Sequence, residues 1–214
     1  MRMNTGTIAV IALSVFLFLW YIGGHLYNRQ RGRRLFRWLE EGLKVLGEEY
    51  QWGWLGSPAS GARILIPQAH PPFRRIEITL LLENREIPVL WLADLLQKKR
   101  DAVIIKATLR SPESRGIQVG PPNELRSTAI LSWKRETGPH GLMVACQGTG
   151  ASSQLAKLAP WLTRYGPHLR RFVLQREDPH LAVWMNLTEL VPEIPSAVLF
   201  TDLQAVLEIR KGEK

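Results

Sequence analysis

The sequence predicts an α+β fold in which a single N-terminal transmembrane helix leads into a cytoplasmic mixed α/β domain. Three observations carry that expectation. The run from Thr7 to Leu26 holds no charged side chain, arginines crowd the segment that follows, and the rest of the chain alternates β-like runs with helix-spaced ones. With 214 residues, of which 45% are hydrophobic and 22% charged, the chain has material for a real core. It is neither a disordered tail nor a fibrous repeat.

From Met3 to Asn28 there is no Asp, Glu, Lys or Arg. Twenty helical residues reach ~30 Å, the thickness of a hydrocarbon core. The Ile, Val, Leu and Phe residues between Ile8 and Ile22 together favour insertion by roughly 3 to 6 kcal/mol. Trp20 and Tyr21 stand where an aromatic belt meets the headgroups, and Gly23 and Gly24 mark the exit. A cleaved signal peptide is the rival reading, since Arg2, an apolar run and small residues form its pattern. Bulky Trp20 and Tyr21, and the arginines beyond, favour a retained anchor.

The net charge of +9 invites a nucleic-acid reading. Residues 1–38, however, hold six arginines and no acid, which leaves only +3 for the other 176 residues. Basicity packed beside an apolar run is a membrane pattern, and nucleic acid is not an expected partner. Arg29, Arg31, Arg33, Arg34 and Arg37 follow the span and only Arg2 precedes it, which sets the N-terminus outside and the bulk of the chain in the cytoplasm. Those five arginines are the candidate membrane-surface residues, facing an anionic inner leaflet. Twenty arginines against eight lysines fit GC-rich prokaryotic coding, and so the plasma membrane. The single Cys146 excludes an intramolecular disulfide and any multi-cysteine metal site. The five histidines show no paired ligand spacing, and neither metal nor cofactor is expected.

After the tail and span (1–28), residues 29–47 read as a basic juxtamembrane amphipathic helix, with Leu35, Leu39, Leu43 and Leu46 at helical spacing and Gly47 as its stop. Either it lies on the leaflet, or, as the favoured reading has it, it packs its leucines inward as the first helix of the domain. A first α+β unit (48–110) follows. It holds a hairpin of Tyr50–Leu55 and Ala62–Ile66 around GSPASG, a strand at Arg74–Leu82, a helix at Val89–Lys98 and a strand at Ala102–Leu109. Residues 111–127, rich in Pro, Gly and charge, read as a linker. The second unit (128–214) offers strands at Thr128–Lys134 and Gly141–Gln147, a helix at Ser152–Tyr165 and a strand at Leu169–Gln175. A strand at His180–Leu187 and a helix at Ser196–Glu208 close it. Overlaying 62–110 on 129–176 matches element for element, as in two degenerate ββαβ units in tandem.

The most site-like stretch joins a strand to a helix through CQGTGASS. Gly148, Thr149, Gly150, Ser152 and Ser153 form a weak phosphate-loop candidate, because glycines and free N–H groups at a helix start hold anions. No lysine follows as in a Walker A loop, and Ser153 replaces the third glycine of a dinucleotide fingerprint, so a plain turn with a serine N-cap is the preferred reading. Cys146 reads as a small core residue rather than a nucleophile. His140, His168 and His180 lie in turn-like contexts without a triad order. The basic runs at Lys98–Arg100 and at Arg170 and Arg171 sit at helix ends, where cations offset the dipole. Trp52, Trp54, Trp91, Trp133, Trp161 and Trp184 read mostly as core.

The leading expectation is a membrane-anchored, non-catalytic scaffold or adaptor whose α+β domain binds a protein partner at the inner face. Two other classes stand beside it: a nucleotide- or phosphate-binding enzyme or module using the 148–153 loop, and a peripheral domain that binds anionic lipid or RNA.

Overall fold

The computed structural model describes residues 4–111, 116–125, 133–147 and 151–208. α1 (Thr5–Leu46) is one unbroken helix of 42 residues, about 63 Å long at 1.5 Å per residue. Its apolar N-terminal half is exposed along its length and is long enough to cross a membrane. From Asn28 onward one face is buried, through Gly32, Leu35, Leu39, Gly42, Leu43 and Leu46 at steps of three and four. The leucines at 35, 39, 43 and 46 therefore pack into the domain core, as favoured from their spacing. The span and the juxtamembrane helix, read as separate, are one rod.

Among the described residues, nine strands form a single antiparallel sheet in the order β1-β2-β3-β4-β9-β8-β5-β7-β6. β1 (Gln51–Trp54), β2 (Gly61–Ile66) and β3 (Phe73–Leu81) make a meander, and α2 (Pro88–Leu96) intervenes before β4 (Ala102–Leu109) pairs back onto β3. β5 (Ile117–Gly120), β6 (Lys134–Thr137), β7 (Met143–Cys146) and β8 (Leu169–Leu174) build the other half, with α3 (Ala151–Tyr165) between β7 and β8. β9 (Leu181–Asn186) pairs with both β4 and β8, which joins the halves into one sheet. α4 (Leu187–Glu193) and α5 (Ser196–Glu208) follow.

The expected linker 111–127 is corrected by β5, which lies within it. β5 sits between β8 and β7 with Ile117 and Val119 fully buried, so it belongs to the sheet's interior and not to a connection. The strand expected at 128–134 falls almost entirely outside the described residues. Among the described residues the elements run β2-β3-α2-β4 and β6-β7-α3-β8, with β6 starting only where the expected strand ends. The connections differ: β3 and β4 are antiparallel neighbours, whereas β5 separates β7 from β8 and makes them parallel to each other. α3 buries Leu158 and Leu162, while α2 buries nothing.

Side-chain alternation gives the sheet two unlike faces. One row of partners, Ile64–Ile78–Ile105–Val183–Phe172–Val119–Val144, crosses seven strands and is buried throughout. The C-terminal half of α1, together with α3 and α5, joins this row in one core with Leu158, Leu199 and Leu203. The row on the opposite face, Leu65–Glu77–Lys106–Ala182–Val173–Gln118, is mixed: Lys106 is exposed, Val173 is buried and the other four are half-buried.

α1 reaches the core by close backbone approach. A Cβ on Gly32 would lie 2.0 Å from the Pro58 carbonyl oxygen, and one on Gly42 2.6 Å from Ser196 Oγ. Trp38 Nε1 donates to the Ile194 carbonyl at 2.9 Å, and the Ser196 hydroxyl donates to the Trp38 carbonyl. These bonds fix α1 against the start of α5, 158 residues away in sequence.

Candidate membrane-docking site and interaction face

Where the apolar half of α1 meets the domain, a buried ion network holds it. Asp101, just before β4, has no exposed side-chain surface. Its Oδ1 accepts from the Glu83 backbone N–H and from Arg85 Nη1, each at 2.9 Å. Its Oδ2 accepts from Arg31 Nε of α1 and from Arg85 Nη2 at 3.3 Å. Arg85 also donates to Asn28 Oδ1 (2.9 Å) and to Glu83 Oε2 (2.6 Å), while Asn28 Nδ2 donates to the Glu83 carbonyl (2.8 Å). Arg100 approaches Glu83 Oε1 at 3.8 Å.

Two buried carboxylates thus face three guanidinium groups contributed by α1, the β3–α2 loop and the segment before β4. Burial alone pushes the Asp101 carboxyl up, but Arg85, Arg31 and the Glu83 N–H outweigh it and hold the group below the usual carboxylate range. Buried ions are expensive unless paired, so the network tolerates little displacement of α1.

One turn nearer the N-terminus, α1 is collared by the segment leading into α2. Trp20 Nε1 donates to the Arg85 carbonyl at 3.2 Å, His25 Nδ1 meets Glu86 Oε1 at 2.9 Å, and the Arg85 guanidinium lies 5.4 Å from the Tyr27 ring centre. The Trp20 and Trp91 rings stand 5.5 Å apart. Gly24 lets the backbones touch, since a Cβ there would fall 2.2 Å from the Arg85 carbonyl oxygen. A mainly apolar groove of about 440 Å³ opens between Trp20, Gly23, Gly24, Tyr27, Arg85 and Trp91.

On the open face of the sheet a second concavity, about 380 Å³, is lined by Ile104, Lys106, Arg171, Val173, Ala182 and Trp184. Arg170, displaced by the irregularity between Leu169 and Arg171, lies 5.2 Å from the Trp184 ring centre and pairs with Glu124 at 3.0 Å. Aromatic and arginine side chains on an uncovered sheet are chemically suited to bind another protein.

Of the candidate membrane-surface residues, Arg29, Arg33, Arg34 and Arg37 are exposed, and the first, second and last of these follow one another at four-residue steps. Arg31 is half-buried and turned onto Asp101. Of the phosphate-loop candidates, Gly148, Thr149 and Gly150 lie outside the described residues, and Ser152 and Ser153 fall in the first turn of α3. Cys146 is buried at the end of β7, opposite Ile117 of β5.

The histidines serve the scaffold. His180 Nδ1 accepts from the Leu109 N–H at 2.9 Å, His140 Nε2 meets the Thr163 carbonyl at 2.9 Å, and His168 is buried 3.7 Å from Glu193. No group of three or more His, Cys, Asp or Glu suited to a metal occurs among the described residues.

The tryptophan reading needs correction. Trp161 is buried, but Trp52 is half exposed on edge strand β1, Trp91 packs against Trp20 of α1, and Trp184 lies on the open sheet. Short apolar runs do not distinguish a core face from a docking face. The Asp101 network has no sequence signature, because its members, from Asn28 to Asp101, are far apart along the chain. Asn28, the only one inside the uncharged stretch, is the one available signal. No protein-family profile matches the chain, and no curated protein sequence resembles it closely enough to count as a relative.

Proposed function

We propose that the protein is a single-pass membrane-anchored adaptor that holds an α+β domain against the cytoplasmic face of the plasma membrane and offers its open sheet face to a protein partner. The carrying observation is the continuity of α1, whose exposed apolar half runs without a break into the core and is locked at its exit by Arg31 and Asp101. A flexible linker lets a domain drift from the membrane, whereas a rod anchored at Leu35, Leu39 and Leu43 sets its height and tilt.

The same continuity favours a retained anchor over a cleaved leader. Cleavage beyond Gly24 would remove Trp20 from Arg85 and Trp91 and cut the rod one turn before Asn28. The orientation follows from the arginines. Arg29 and Arg33 stand about 5 and 10 Å past Leu26 along the helix, within headgroup reach, while Arg37 is about 16 Å past it.

The partner reading is supported by the uncovered mixed face around Lys106, Arg171 and Trp184. Its test is photo-crosslinking in intact membranes from Lys106 and, as a control, from exposed Thr201 on α5. A discrete protein adduct from position 106, absent from position 201 and lost in Trp184→Ala, is the expected result. Equal labelling at both positions would remove the sheet face from consideration.

A further inference from the structure

We infer that α2 is a second membrane-attachment site, a short interfacial helix that lays its apolar stripe into the leaflet beside the exit of α1. This rests on the anchor reading above. α2 has the sequence PVLWLADLL and buries none of its residues. Val89, Leu92 and Leu96, three and four residues apart and so on one face, are 75%, 52% and 77% exposed. A helix that is apolar nearly all round belongs in a core or in a bilayer, and α2 is not in the core.

Topology does not require the excursion. Leu81 of β3 is paired directly with Ala102 of β4, and antiparallel neighbours can be joined by two residues. Instead the chain makes a detour of 20 residues that carries α2 to the side of the membrane anchor.

Depth agrees. Trp91 packs on Trp20, which lies six residues before Leu26, about 9 Å of helix. Interfacial helices sit about 5–10 Å into the boundary between headgroups and acyl chains. Charges flank the stripe and do not interrupt it. Glu86 is paired with His25 at the N-terminal end, Asp94 is paired with Lys99 at 3.2 Å, and Lys98, Lys99 and Arg100 are exposed just past the C-terminal end. That basic end suits anionic headgroups. The exposed side chains of α2 therefore continue the lipid-facing surface of α1, and the occupant of this surface is the membrane itself.

The test uses the full chain in vesicles of mixed phosphatidylcholine and phosphatidylglycerol. Cys146 is buried, so single cysteines placed at Leu92, Leu13 and Thr201 take an environment-sensitive fluorophore selectively. At Leu92, nitroxide carried on the lipid chains should quench several-fold more strongly than aqueous iodide. At Thr201 the order should reverse, and at Leu13 only the lipid quencher should act. If Leu92 responds to iodide like Thr201 while Leu13 reports lipid, α2 lies in water and the inference falls with the anchor intact. Shielding of Leu92 from both quenchers would mean that a second copy or another protein covers it, which also overturns the inference. Iodide quenching at Leu13 would remove the anchor itself.

Discussion

Arg31 donates to Asp101 across 70 residues of sequence, and through this one contact α1 and the sheet share a buried charge pair. Removing one partner of a buried pair leaves an uncompensated charge, which costs about 3–5 kcal/mol. Asp101→Ala in the detergent-solubilised full chain should therefore lower stability by that order, measured by denaturant unfolding. The same change in an Arg31→Met background should cost clearly less. Equal costs in the two backgrounds would mean that Arg85 alone carries the pairing.

The lowered pKa of Asp101 sets the sign of its acid response. A carboxyl depressed in the folded state binds its proton more readily when unfolded, so its stabilisation is full above the unfolded value of about 3.9 and is lost as pH falls through the folded value. An acid titration followed by near-ultraviolet circular dichroism should show the domain loosening below about pH 4. Asp101→Asn should flatten that limb. An unchanged acid limb in the variant would assign it to other carboxylates.

Adjacent glycines in α1 should respond in opposite directions to the same substitution. A Cβ added at Gly23 would meet nothing within 4 Å, whereas one at Gly24 would collide with the Arg85 backbone. Gly23→Ala should gain about 0.5–1 kcal/mol from helix propensity. Gly24→Ala should separate α1 from the loop before α2, seen as faster proteolysis near Arg85 and a shift in tryptophan emission. Identical behaviour of the two variants would rule out the close approach.

These glycines also explain what can be read in the sequence and what cannot. The apolar span, the leucine stripe and most strands are visible because each is a local pattern of period 3.6 or 2. Gly23 and Gly24 read as marking the exit of the apolar span, yet Gly24, like Gly32, lies where another backbone presses on the continuing helix. β5 is hidden because four residues of alternation inside a Pro- and Gly-rich stretch carry little signal, and both of its partner strands come later in the chain. The Asp101 network is hidden for the same reason on a larger scale: its side chains, from Asn28 to Asp101, converge only once β3 and β4 are paired. α4 is hidden because Pro192 lies inside this short helix, where proline ordinarily marks a break.

Tyr165 offers a probe of the second half of the sheet. It is fully buried and donates to Asp202 at 2.7 Å, and burial, reinforced by that carboxylate, raises its phenol well above the ordinary tyrosine value. With the folded value raised, the stabilisation is present below the unfolded value of about 10 and disappears as pH climbs toward the folded one. Absorbance at alkaline pH should show one tyrosine that ionises only as the domain unfolds, absent in Tyr165→Phe. The variant should lose about 1 kcal/mol with the hydrogen bond. A freely titrating set of all four tyrosines in the folded protein would contradict this.

Orientation can be tested in a way the sequence alone would misjudge. Asn186, Leu187 and Thr188 form a glycosylation acceptor pattern, but Asn186 is half-buried at the end of β9 and its Oδ1 is buried. Once folded, the site is closed on either side of a membrane, so its silence carries no topological information. Thr201, exposed on α5, is the better reporter. In cells carrying Thr201→Cys, a membrane-impermeant maleimide should label the protein only after lysis, with buried Cys146 silent. Reversal should follow when Arg29, Arg33, Arg34 and Arg37 become Gln and lysines are added beside Met3 and Asn4. Arg31 must stay, since replacing it would unseat α1 from Asp101 and confuse misfolding with inversion. Labelling of Thr201→Cys in intact wild-type cells would put the domain outside and move its partner to the opposite face.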